Sequence, residues 1–104
     1  MKLHHTVNHT PHNRIAESIE REGLVPMVCY EYKDLVPDAI RHLPVVWFAE
    51  GIWQSYELPC FEVESKDLDV DKLFRNNVVY EGDKTLNWWI YQGAVSREYL
   101  TRIQ

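Results

Sequence analysis

Glycine is scarce in this chain, at four residues, and cysteine scarcer still, at two. So few glycines leave no P-loop, no Rossmann glycine pattern and no Gly-x-Ser-x-Gly elbow, so a phosphate cradle made of backbone is not expected. Cys29 and Cys60 form no CxxC pair and carry no flanking signature of a thiol hydrolase. They read as free, buried thiols of a reducing compartment. Long apolar runs are missing as well: charges or prolines interrupt each one, which argues against a membrane span. Met1-Lys2-Leu3-His4-His5 has no apolar core of a signal peptide, so a cytoplasmic location is expected. Basic clusters are absent too, and a net charge of −5 does not suit a nucleic-acid face.

What is present is a globular composition, 45% hydrophobic and 26% charged over 104 residues. That predicts one domain, residues 1–104, with a single core and little apolar material to spare. The densest stretch is Val45 to Tyr56, which holds Trp47, Phe48, Trp53 and Tyr56. It begins as an unbroken apolar strand, Val45–Ala49, of the kind covered on both faces, and ends in an aromatic loop.

Around that stretch the periodicity predicts short elements. Leu3 to Val7 alternates as a strand, with His5 on the core side and His4 away from it. Thr10-Pro11 is a helix start, and the helix is expected to reach Glu22 with Ile15, Ala16 and Ile19 as its apolar stripe. Arg14, Glu17 and Arg21 are spaced to pair along its outer face. Gly23 is placed as the residue just past the helix end, with Leu24 packing back. Met27–Tyr32 could be a strand, and Asp34–His42 a short helix or a turn-rich loop. Cys60–Glu64 alternates as a half-buried strand, Asn77–Glu81 and Leu86–Tyr91 read as two more, and Ser96 could cap a last helix carrying Tyr99, Leu100 and Ile103. Strands that follow one another without intervening helices favour an α+β fold.

Three candidate sites follow from residue chemistry. His4, His5, His9 and His12 fall close together, but strand and loop do not present them as one rigid zinc set, and an acidic or thiolate partner is not evident. Asp67, Asp69 and Asp71 alternate like a calcium loop without its Gly and closing Glu, and read as a solvated edge with a helix cap. The aromatics are the strongest signal. Trp88 and Trp89, adjacent on a strand, must point to opposite faces, so one of them leaves the main core or lines a cleft.

Several of these pieces resemble the ADP-ribosyltransferase fold, in the group related to poly(ADP-ribose) polymerases and diphtheria toxin. Leu3-His4-His5-Thr6 is similar to that group's opening strand, with His4 or His5 as its histidine. Glu22-Gly23-Leu24 is similar to the family's helix exit. Trp47-Phe48-Ala49-Glu50 followed by Ser55 and Tyr56 resembles its Tyr-Phe-Ala-acidic strand leading to a Ser and a Tyr. Asn87-Trp88-Trp89-Ile90-Tyr91, then Val95 and Tyr99-Leu100, resembles the late strand that opens with the catalytic Glu. The pieces occur in the family's order and cover most of the chain.

The resemblance implies two small, mostly antiparallel sheets with a few short helices, and a cleft between the sheets that holds NAD or ADP-ribose. His5, followed by Thr6, would donate to the adenosine ribose. Tyr56 would stack on the nicotinamide, Ser55 would bond its amide, and Trp47 would form the facing wall. The catalytic position falls on Asn87, which can bond a ribose hydroxyl but carries no negative charge. Glu50 and Glu81 are carboxylates that could act from elsewhere, and spacing selects neither. The expected function is therefore NAD or ADP-ribose binding with weak or lost mono-ADP-ribosyltransferase activity toward a protein or nucleic-acid acceptor. A different class of reading is an interaction or inhibitor protein that uses an aromatic surface, as in phage or mobile elements. A third is a metal-binding protein built on the histidine cluster.

Overall fold

A computed structural model of the chain describes residues 1–7, 14–26, 38–51, 58–76 and 87–104. Its strands are β1 (Lys2–Thr6), β2 (Val46–Ala49), β3 (Cys60–Glu64), β4 (Leu73–Asn76), β5 (Trp88–Tyr91) and β6 (Thr101–Arg102), and its helix is α1 (Arg14–Glu22). The six strands form a single sheet in the order β4-β5-β2-β1-β3-β6, with every neighbouring pair antiparallel. The α+β class holds. Two small sheets were expected, and the described strands all join one.

Alternation divides the sheet into two faces. The first carries Leu3, Val7, Val46, Phe48, Phe61, Val63 and Tyr91, and α1 covers it with Ala16 and Ile19. Phe48, wholly buried, alone accounts for about 2–3 kcal/mol of transfer free energy. The second face carries Val45 and Ile90, joined by Ile40, Leu43, Trp47 and Phe74. β2 is therefore covered on both sides, as its unbroken apolar run predicts. Trp88 and Trp89 split between the faces: Trp89 packs on the first core and Trp88 meets Trp47 on the second.

The end of α1 follows its sequence closely. Gly23 takes φ +83°, and its N–H donates to the Ile19 carbonyl at 2.8 Å, an αL cap. Leu24 then exchanges two backbone hydrogen bonds with Val95, both 2.9 Å. Thr10 and Pro11, the expected helix start, lie outside the described residues, as do Met27–Tyr32, Asn77–Glu81 and the side chain of Ile15. On the outer face of α1, Arg21 pairs with Glu22 at 3.7 Å, and Glu20 is tied to Arg102 at 2.7 Å.

Two short elements differ from expectation. The chain after Ser96 makes only a 3-10 turn at Arg97–Tyr99 and then β6, where a helix was expected. The reason is the outer edge of β3: its backbone groups would otherwise lack partners, and Ile103 N–H donates to the Cys60 carbonyl while Cys60 N–H donates to Gln104. Within Asp34–His42, the described part is a 3-10 turn at Asp38–Ile40. Among the described residues no helix is long and apolar enough to cross a membrane.

Candidate functional site

The registers align one row of side chains across the first face. Arg102 faces Phe61, Phe61 faces His5, Phe48 faces Trp89 and Trp89 faces Arg75. Because His4 faces Ala49, His5 stands beside Phe48 and completes the row. His5 meets Phe48 edge-on, with ring centroids 6.1 Å apart. At the other end Arg75 lies over the Trp89 ring, 6.0 Å from its centroid.

His5 has a defined protonation form. Its Nδ1 lies 2.8 Å from the Trp47 carbonyl oxygen. A carbonyl only accepts, so Nδ1 carries the hydrogen. Burial lowers the pKa of the ring, and the hydrogen bond to Trp47 opposes that shift less strongly. The neutral ring therefore offers Nε2 as an acceptor. Donation from Nε2, as the resemblance expects toward a ribose, would require the charged ring, which burial disfavours.

Next to this row stands a polar cluster. Ala49 faces Trp88, which makes Glu50 and Asn87 the next cross-strand pair, and Glu50 N–H donates to the Asn87 carbonyl at 3.0 Å. Their side chains also meet. Asn87 Nδ2 donates to Glu50 Oε2 at 2.9 Å, and Trp89 Nε1 donates to Glu50 Oε1 at 2.9 Å. These two hydrogen bonds hold the Glu50 carboxyl below its ordinary pKa, with a smaller contribution from the charge of Arg75. The result is an ionised, partly exposed carboxylate locked by neutral donors.

The remaining candidates are distributed otherwise. Thr6 points to the second face, where its hydroxyl donates to Cys60 Sγ at 3.7 Å. Trp47 also belongs to that face, edge-on to Trp88 with ring centroids 6.2 Å apart. The structure thus brings His5 and Asn87 to one face and sets the side chains of Thr6 and Trp47 on the other. Ser55 and Tyr56 lie outside the described residues. His4, across the sheet from His5, donates through Nε2 to Glu62 at 3.0 Å, and Lys2 flanks the same carboxylate at 3.6 Å. His4 is thus tied to Glu62 on the second face, and His5 stands on the first.

Cys60 is fully buried, and burial raises its pKa, so it is an inert neutral thiol. Asp69 caps the turn Val70–Lys72 by accepting from Asp71 N–H at 3.0 Å, the capping role expected within the aspartate run. Among the described residues no group of three His, Cys, Asp or Glu could hold a metal; His9 and His12 lie outside them.

Sequence reasoning left Glu50 unselected, yet it is the acidic group at the site. One signal was available: Glu50 continues the even-numbered face of Val46 and Phe48, which places it at the border of the first core. No family model, curated protein or solved structure matches the chain.

Proposed function

We propose that this chain is a small ADP-ribosyltransferase-like protein that binds NAD or ADP-ribose beside Glu50 and Asn87, at the border of the sheet's first face, with weak or lost mono-ADP-ribosyltransferase activity. The observation that carries the reading is the shared face of His5 and Asn87, two positions the family resemblance picks out from opposite ends of the chain. Neutral His5 accepts a ribose hydroxyl through Nε2. Asn87 stands on the neighbouring row beside an ionised Glu50. Ser55 and Tyr56 keep the nicotinamide contacts that the resemblance gives them. Trp47 loses its role as the facing wall, since its indole packs into the second core. The cleft between two small sheets belongs to this reading, with the described sheet as one wall. The acceptor is a protein or a nucleic acid.

Calorimetric titration with NAD and with ADP-ribose tests the binding claim. Heat of binding with a matching rise in melting temperature is expected. No heat and no thermal shift at millimolar ligand would reject it. The competing reading, an aromatic interaction surface, calls for an exposed Trp53 or Trp88; Trp53 lies outside the described residues, and Trp88 is partly buried against Trp47.

A further inference from the structure

We infer that Glu50 supplies the negative charge for glycosidic-bond cleavage that Asn87 cannot, which makes the chain an active NAD-cleaving protein and Asn87 its positioning residue. This rests on the NAD-binding reading above.

Three observations carry the assignment. The first is which carboxylates share the face of His5. Glu62 and Glu64 alternate onto the second face, where Glu62 is engaged by His4 and Lys2 and Glu64 pairs with the amino terminus at 3.6 Å. On α1, Glu17 is exposed to solvent, Glu20 is committed to Arg102 and Glu22 to Arg21. Among the described residues of the sheet and its borders, this leaves Glu50 on the first face. The second is how Glu50 is held. Its hydrogen-bond partners are an amide and an indole, both neutral, and the charge of Arg75 offsets it only by a smaller contribution. A carboxylate clamped by a guanidinium would have its charge offset. Each Glu50 oxygen accepts one of these bonds and keeps a further lone pair for a ligand. The third is position. Leu3 is the residue across from Glu50, and His5 lies one row further along β1. That makes His5 and Glu50 diagonal cross-strand neighbours, about 7–8 Å apart. Both offer acceptors, which suits a ligand that brings hydroxyl donors, as a ribose does.

The chemistry balances without a further reagent. The bond between C1′ of the ribose and the nicotinamide nitrogen breaks, and its electron pair leaves with the nicotinamide, which departs neutral. Positive charge builds on C1′ and the ring oxygen, where the fixed carboxylate opposes it. A water oxygen, or an acceptor nucleophile, then bonds to C1′, and its proton passes to solvent. Glu50 is a poor proton acceptor because two donors already stabilise its anion, so its contribution is electrostatic. The preorganised bonds from Asn87 and Trp89 mean that the charge need not be reoriented during the reaction.

The test measures NAD affinity by calorimetry and nicotinamide release by chromatography on the full chain. Three proteins are compared: wild type, Glu50→Gln and the charge-relocating double variant Glu50→Gln/Asn87→Glu. Wild type is expected to release nicotinamide. At saturating NAD, release by Glu50→Gln is expected to fall by about 100-fold or more, the loss of charge stabilisation in the transition state. The double variant is expected to recover part of the rate. Release by Glu50→Gln within about threefold of wild type would overturn the assignment. So would a wild type that binds NAD and releases nothing above the spontaneous rate. Either result leaves the NAD-binding reading standing. A wild type that binds no NAD would overturn both.

Discussion

The amide of Asn87 donates to the carboxylate of Glu50 across the β2–β5 ladder at 2.9 Å, and the Trp89 indole holds the other carboxylate oxygen at the same distance. Seen from Asn87 alone, a glutamate at position 87 would look like the repair of a missing catalytic group. The contact reverses that expectation. Asn87→Glu sets two carboxylates against each other, and one of them must protonate or turn away. With Glu50 partly exposed, the single variant is expected to lose roughly 1 kcal/mol of stability. Chemical denaturation at neutral pH measures this, and the loss should shrink when Glu50→Gln is added. A stabilised Asn87→Glu would mean that the two side chains do not meet.

The same contact sets an acid limb. The two donors lower the pKa of Glu50 in the folded chain from its ordinary value of 4.5. Between the folded and unfolded values the unfolded chain binds more protons, so stability rises with pH there. The contribution of Glu50 is fully present above about pH 5 and is lost as pH falls through the depressed folded value. Glu50→Gln has no such proton to bind. Denaturation midpoints of the two proteins should therefore converge as pH drops from 5 toward 3. Parallel curves over that range would argue against the hydrogen-bonded carboxylate.

Much of this frame is legible in residue order. The alternation of Leu3 to Val7 and Cys60 to Glu64 locates β1 and β3, and Gly23 marks the end of α1. Adjacent Trp88 and Trp89 divide between faces on strand geometry alone. What is not legible depends on register. Glu50 and Asn87 lie 37 residues apart, and their contact exists because Ala49 faces Trp88 rather than a residue one step along. A slip of one residue would turn Glu50 to the opposite face relative to Trp89. The strand at the C-terminal end, in place of a helix, has a related cause. Tyr99, Leu100 and Ile103 have helical spacing, but the open edge of β3 recruits the backbone of Thr101 and Arg102 instead. Likewise, the family resemblance gives Trp47 the place of a pocket wall, and the odd-numbered face of β2 takes it into the second core.

His5 predicts a second pH limb nearer neutrality. Burial lowers its folded pKa from 6.5, so the unfolded chain takes up the proton first as pH falls. The contribution of His5 is fully present above about pH 6.5–7 and is lost as pH falls through the lower folded value. His5→Asn can place an amide N–H near the Trp47 carbonyl without a titrating ring, and should flatten this limb. Nitrogen NMR provides the direct check. At pH 7 the ring should show a protonated Nδ1 and an unprotonated Nε2. The opposite tautomer would remove both the bond to Trp47 and the acceptor role at the ligand site.

Gly23 gives the sharpest stability prediction. Its φ of +83° is one that side-chain-bearing residues rarely adopt. Space is closed as well: a Cβ would run into the Val95 carbonyl oxygen and lie 2.9 Å from the Arg97 backbone nitrogen. Both obstacles are backbone and cannot rotate aside. Strain at positive φ alone costs about 1 kcal/mol, and displacing the Leu24–Val95 bridge adds the loss of two buried backbone hydrogen bonds, so Gly23→Ala is expected to cost roughly 2–4 kcal/mol. The same substitution at Ser18, a partly buried helical position, should be near neutral by helix propensity. Urea denaturation of the two variants separates backbone strain at the helix end from any general effect of alanine. If Gly23→Ala unfolds at the wild-type midpoint, the close approach of the helix end to Val95 is not what joins α1 to the C-terminal segment.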